Sequence, residues 1–358
     1  MKRKLIFIQP VLASYRHPFF EELQKKFNVT VIYSKKDFLN VESVEVEQAV
    51  YTRINLNGFV SVFNKIFWQK GVKFSFFNKD DIVVVSGNPR VINHMFLIIY
   101  LRIRGIKVLW WGQGWTANSR GLLSKIRHKM MNLANGILVY TEKEAKQLIV
   151  SKPIAGLNNG LDLNSIIDLK YLKQAKVTNP ESLNLFFIGR LTEKSKIKDI
   201  VEVILNINMD VTLSIIGDYT KFKMDFPELY KDSTIQRKVC WYGAIYDENK
   251  IASIASNCDY FIYGGAVGLS LIHAFSYYLP AIVHDQEQGH MPEYAAFVNS
   301  YNGFSFKKDD FEDLSRLLIS LGGIDNSQLK INARNTVLKS FNTHDMADRC
   351  QALINKIL

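Results

Sequence analysis

The stretch YFIYGGAVGLSLIHAFSYYLPAIV, Tyr260 to Val283, decides how the rest of the chain is read. Tyr260 to Tyr263 is apolar and β-prone, Gly264, Gly265 and Gly268 make a turn, a helix opens near Leu269, and a second apolar run follows Pro280. That order places free backbone N–H groups and the positive end of a helix dipole at the carboxyl edge of a parallel sheet, where a phosphate is held. A strand–glycine–helix joint is common in α/β proteins, so its meaning depends on what flanks it.

Upstream lies FFIGRLTEKSKIKDI, Phe186 to Ile200. A strand ends at Gly189, Arg190 leaves it at the carboxyl edge, and Lys194, Lys196 and Lys198 follow before a helix. A guanidinium can fork onto two phosphate oxygens and each ammonium adds a point charge. Cations at a helix start oppose its dipole, so this is either a solvated basic surface or a bound anion explains it. Downstream, HDQEQGHMPEYAAF carries His284, Asp285, His290 and Glu293, with no pair at the spacing of a known metal motif. Glu293 reads as a helix-start charge or as an acceptor for sugar hydroxyls.

Further out, apolar runs alternate with helical segments. Lys4–Ile8, Val29–Tyr33, Ile82–Ser86, Lys107–Trp111 and Ile137–Tyr140 read as buried strands, with helices around Pro18–Phe27, Arg90–Arg104, Leu122–Leu133 and Glu142–Val150. Between Gly160 and Pro180 strand character is lost and a polar helix is expected, with the domain boundary near residues 165–182. The alternation restarts with Leu185–Ile188, Ile197–Ile207, Val211–Ile216, Val239–Tyr242 and Glu248–Ser256, and closes with Gly303–Phe306 and helices to Leu358. Two doubly wound, Rossmann-like α/β domains facing across a cleft are expected: residues 1–170, residues 171–342, and a terminal helix, 343–358, returning to the first domain.

A length of 358 residues suits two cores rather than one. Cys240, Cys258 and Cys350, an odd number with no paired spacing, suit a reducing compartment, so a cytoplasmic location is expected. No apolar run approaches the roughly 18–20 residues of a membrane span. The net charge of +11 is uneven: residues 1–180 carry +15 and residues 181–358 carry −4. Phe59–Phe77 interleaves aromatics with Lys65, Lys70 and Lys73, and SRGLLSKIRHKMM adds Arg120, Lys125, Arg127, His128 and Lys129. Such segments suit an anionic membrane interface, or else the aromatics are core and the lysines its solvated side.

GRL-x(4)-K at Gly189–Lys196, VGLS-x-x-HAFSYYLPAIV at Val267–Val283 and Pro292-Glu293, taken in order, resemble glycosyltransferase family 4, retaining enzymes of the GT-B fold that use nucleotide-diphosphate sugars. The front half agrees through Pro10-x(4)-Tyr15-Arg16-His17-Pro18, the WGQGW segment Trp111–Trp115 and NNGLD at Asn158–Asp162. The resemblance implies that Arg190 and Lys196 hold the donor phosphates, with Gly189 and Lys194 beside them. It further implies that Gly268, Leu269 and Ser270 cradle the diphosphate, and that Tyr242, Gly243 and Ala244 meet the base. Tyr15, Arg16, Gln113 and Asn159 fall on its acceptor side. Much of the family has two glutamates eight positions apart around the cradle; here those positions are Gly265 and His273. His273 therefore either meets a phosphate or sugar hydroxyl or is a core histidine, and Glu293 joins the donor side. Gln113 stands where relatives commonly have histidine, and it cannot exchange a proton.

The expected function is transfer of a sugar from a nucleotide-diphosphate sugar to a glycan acceptor, lipid-linked, in surface polysaccharide biosynthesis, on the inner face of a membrane. No cofactor or metal is expected, since no D-x-D triplet is present. A nucleotide-sugar epimerase of the same fold and a basic nucleic-acid-binding protein are the alternatives, though no nucleic-acid motif is evident and no nucleic-acid partner is expected.

Overall fold

The computed structural model describes residues 2–35, 38, 43–44, 48–63, 65–114, 122–167 and 182–358. The chain divides into two units, Met1–Asp162 with Thr343–Leu358, and Leu163–Asn342; the sequence reading puts these junctions at 170/171 and 342/343. Leu163 and Ile166 are already buried, so the chain has passed to the second core by then.

The first unit runs β1 (Lys4–Ile8), α1 (His17–Gln24), β2 (Asn28–Ser34), β3 (Thr52–Leu56), β4 (Phe59–Val62), β5 (Ile66–Gln69), β6 (Ile82–Ser86), α2 (Ile92–Ile103), β7 (Lys107–Trp111), α3 (Leu122–Leu133), β8 (Gly136–Val139), α4 (Glu142–Gln147) and β9 (Ile154–Gly156). Seven of its strands form one sheet in the order β3-β2-β1-β6-β7-β8-β9, with every pairing parallel. Continuous apolar runs such as Ile82–Val85 are what a sheet covered on both faces requires.

The second unit runs α5 (Asn164–Ile167), β10 (Ser182–Ile188), α6 (Ile197–Asn206), β11 (Asp210–Ile216), α7 (Thr220–Asp225), α8 (Pro227–Lys231), α9 (Ser233–Lys238), β12 (Val239–Gly243), α10 (Glu248–Ala255), β13 (Tyr260–Tyr263), α11 (Leu269–Ser276), β14 (Ala281–His284), β15 (Gly303–Phe306), α12 (Phe311–Leu321) and α13 (Ser327–Ser340). Its sheet order is β12-β11-β10-β13-β14-β15, again parallel throughout. The final helix α14 (Thr343–Ile357) buries Met346, Ala347, Cys350, Leu353, Ile354 and Ile357 in the first unit's core beside Phe7, Phe19 and Phe20.

Each sheet reverses direction of growth once, between β1 and β6 and between β10 and β13. Ligands of such sheets bind outside the carboxyl ends of the strands at that switch point. The structure corrects the sequence reading in detail. α2 starts at Ile92 rather than Arg90, and α4 stops at Gln147 because Leu148 is already extended. Of the polar helix expected between Gly160 and Pro180, only Asn164–Ile167 falls among the described residues. The edge strands β3 and β9, the β4–β5 hairpin and the short helices α7–α9 carry too little periodicity to be read in advance.

Candidate functional site

At the second unit's switch point the loops after β10 and β13 interlock. Gly189 ends β10 at φ 146°, and a Cβ there would lie 3.0 Å from Ser270 Oγ, so the strand end and the start of α11 nearly touch. Arg190 follows, exposed. A tight turn over Glu193–Ser195 is closed by Ser195, whose hydroxyl donates to the Thr192 carbonyl at 2.6 Å. It delivers Lys196 in the left-handed region, φ 57° and ψ 29°, as the residue that opens α6. The Lys196 ammonium lies 3.7 Å from Asp309 Oδ1 with both groups well exposed, while Lys198 pairs with Glu202 on its own helix at 2.6 Å.

The facing loop is held by the Ala266 N–H, which donates to the Lys194 carbonyl at 3.1 Å. A Cβ on Gly265 would be 2.0 Å from that same oxygen. Gly265 therefore stands where the resemblance led to a glutamate because the backbone of Lys194 occupies the space. Gly268 precedes α11, no side chain caps that helix's first N–H groups, and Ser270 in its first turn lies beside Gly189. Glu293, buried in the turn Pro292–Ala296, brings its carboxylate to 3.6 Å from where a Gly268 Cβ would stand.

His273 is one turn further along α11. Its Nε2 lies 3.1 Å from Glu248 Oε2 and 3.2 Å from the Tyr277 hydroxyl, and Tyr277 also donates to Glu248. Burial opposes ionisation of Glu248, yet the hydrogen bonds from His273 and Tyr277 hold its carboxylate below the usual range. His273 is thus bound into a tie between α10 and α11. His290 donates from Nε2 to the His284 carbonyl at 2.9 Å and accepts the Val267 N–H on Nδ1 at 3.2 Å, a neutral ring that fixes the cradle loop. His284 and His290 stack at 3.7 Å, and no group of three or more His, Cys, Asp or Glu among the described residues could hold a metal ion.

At the sheet edge, Gly243 at φ 74° accepts the Gly217 N–H through its carbonyl at 2.8 Å, and Tyr242 and Ala244 are exposed. Trp241 packs among Tyr219, Phe222 and Tyr230, with ring centroids 4.9–5.5 Å away, so it is structural and the backbone of 242–244 is what remains open to a base.

In the first unit a cavity of about 380 Å³ opens at the β1/β6 switch point. Tyr15, Arg16 and Gln113 line it. Asn159 accepts from Arg16 Nη1 at 3.3 Å, and the Arg16 guanidinium sits over the Trp111 ring at 4.5 Å. Sequence reasoning missed Arg90, Trp111, Tyr140 and Arg127 as cavity residues. The sequence reading sets Arg127 in a basic run, but its place one turn before the buried Met131 on α3 marks the inward face.

The fold and these two switch-point sites define a two-unit α/β protein of the GT-B type. Solved structures agree over 99% of this chain: a glycosyltransferase from Rickettsia africae, with 15% identity, TM-score 0.72 and 98% of its own length covered; the lipopolysaccharide outer core galactosyltransferase WaaB, 14%, 0.67 and 100%; and Anabaena HepE in complex with UDP, 10%, 0.69 and 100%. No curated protein sequence matches significantly. Residues 170–336, a little under half of the chain, match the family model "Glycosyl transferases group 1".

Proposed function

We propose that the chain transfers a sugar, with retention of configuration, from a nucleoside-diphosphate sugar to a lipid-linked glycan acceptor in surface polysaccharide assembly. One observation carries the donor side: the uncapped start of α11 lies against Gly189, the residue before Arg190, with Lys196 presented from the adjoining loop. Backbone N–H groups and two cations at one strand edge suit a diphosphate. In the reaction the sugar–phosphate bond breaks as the acceptor oxygen bonds to the anomeric carbon. The departing diphosphate takes the acceptor's proton, while Arg190, Lys196 and the α11 N-terminus stabilise its growing charge. No side-chain base is needed, which suits Gln113, and no metal bridge is invoked. Tyr15, Arg16, Gln113 and Asn159 serve the acceptor, and the backbone of Tyr242–Ala244 the base. The bound UDP of HepE makes UDP the first nucleotide to try.

The apolar surface of the β4–β5 hairpin and α2, where Phe63, Trp68 and Phe96 are exposed near Lys65 and Lys70, supports docking on an anionic membrane. No helix among the described residues is long and apolar enough to cross one.

Calorimetric titration with UDP, GDP, ADP and dTDP, without metal, on wild type and Arg190→Ala tests the donor site. One nucleotide should bind, and the substitution should weaken it and slow transfer by about 2–4 kcal/mol in the transition state. Near-normal turnover in Arg190→Ala would remove the role given to that residue.

A further inference from the structure

Among the described residues, the wall of the first unit's cavity holds three arginines, Arg16, Arg90 and Arg127, and no aspartate or glutamate. Two of the three are engaged: Arg16 with Asn159 and the Trp111 ring, Arg90 through Nε with the Lys65 carbonyl at 2.9 Å. Arg127 differs. Its Nε and Nη1 are shut off from solvent and make no hydrogen bond among the described residues. Glu144, the carboxylate that interacts with it electrostatically, is not part of the wall and accepts the N–H groups of Gly114 at 2.6 Å and Tyr140 at 3.0 Å. Burial holds the Arg127 guanidinium below the usual arginine range, only partly offset by Glu144 and Tyr140. A desolvated cation with unused donors is unfavourable unless something supplies the missing acceptor. Gln113, Asn88, Ser86 and Tyr140 add neutral hydrogen-bonding groups to the same wall, as a sugar or polyol would require.

We propose that this cavity takes an acceptor bearing an anionic group, a phosphate ester or a carboxylate, and that Arg127 reads that charge. The inference rests on the transferase reading above and narrows its acceptor from glycans in general to anionic ones. Arg127 is then a specificity residue: it binds the acceptor's charge and takes no part in breaking the sugar–phosphate bond.

The test uses full-length protein, with and without saturating nucleoside diphosphate, titrated with glycerol 3-phosphate, glycerate and glycerol. One of the anions should bind and neutral glycerol should not; which anion binds distinguishes phosphate from carboxylate. Arg127→Gln should weaken that binding about tenfold or more, the range for losing a charge-assisted hydrogen bond, with Arg127→Lys recovering part of it. Arg190→Ala should leave it unchanged. Melting temperature and nucleotide binding check that Arg127→Gln folds, and Arg16→Gln provides a second variant in the same wall. Glycerol binding as tightly as the anions, no binding of any probe, or full anion affinity in both Arg127→Gln and Arg16→Gln would overturn the proposal. Arg127-dependent anion binding in a protein that ignores every nucleoside diphosphate would sink the transferase reading and leave the anion site standing.

Discussion

Lys196 is held at φ 57° where a side chain other than glycine carries strain of about 1 kcal/mol or more. Nothing in the fold requires an ammonium there, because its contact with Asp309 is long and solvent-exposed, and such pairs contribute little. The strain and the charge can be separated by substitution. Lys196→Gly should melt at the same temperature as wild type or higher, since glycine suits the backbone, while donor affinity and transfer fall by about tenfold or more. Lys196→Ala should lose activity equally without the stability gain. Transfer at wild-type rates in Lys196→Gly would show that only the backbone turn matters. Arg190 and Lys196 were legible because a strand end and a helix start bracket them in sequence. Arg127 was not, since the rest of the cavity wall is assembled from segments far apart in the chain.

The β4–β5 hairpin shows the limit of reading one element alone. Its sequence interleaves aromatics with lysines, and Val60, Val62, Ile66 and Trp68 point outward at about half exposure, while α2 continues the surface with Phe96 and Ile103 at 56% and 80% exposed. Trp68 and Phe96 stand 6.4 Å apart, so the patch is contiguous. Periodicity reports that one face is apolar and says nothing about whether another element covers it, which left the core and membrane readings level. The proposed membrane docking rests on this exposure. Trp68→Ser with Phe96→Ser should cut the fraction floated with anionic vesicles by about tenfold, with melting nearly unchanged because neither ring is core. Flotation independent of both substitutions and of lipid charge would count against docking there. At the cradle, by contrast, the glycine turn before α11 was legible from its residues, whereas the reason Gly265 must lack a side chain lies in the Lys194 carbonyl, seventy-one positions away in sequence.

Across the whole molecule, each unit holds a buried histidine that its surroundings keep neutral. His94 is fully enclosed with Nε2 2.6 Å from Gln69 Oε1, and His290 is bonded to the cradle loop. Burial lowers both to about 4 from the ordinary 6.5. Between those values the unfolded chain takes up protons that the folded chain refuses, so stability is full above about pH 6.5 and is lost as pH falls toward 4. The shift corresponds to about 3 kcal/mol for each ring at most. Denaturant unfolding at pH 7.5 and 4.5 should show this loss, and His94→Gln and His290→Gln should each remove part of the slope. A flat profile in wild type would mean the rings are reached by water.

Alternating apolar runs, Pro and Gly punctuation and the Gly189–Lys196 and Val267–Ser270 segments were enough, from sequence alone, to determine two parallel α/β domains and to single out the strand edge proposed for the donor, because those features depend on residues close together in the chain. The exposed face of the hairpin, the pairing of His273 with Glu248 and the place of Arg127 in the wall of the first unit's cavity were decided only by the tertiary structure. Each depends on what a distant segment places opposite the side chain, and burial and charge pairing are set by that partner.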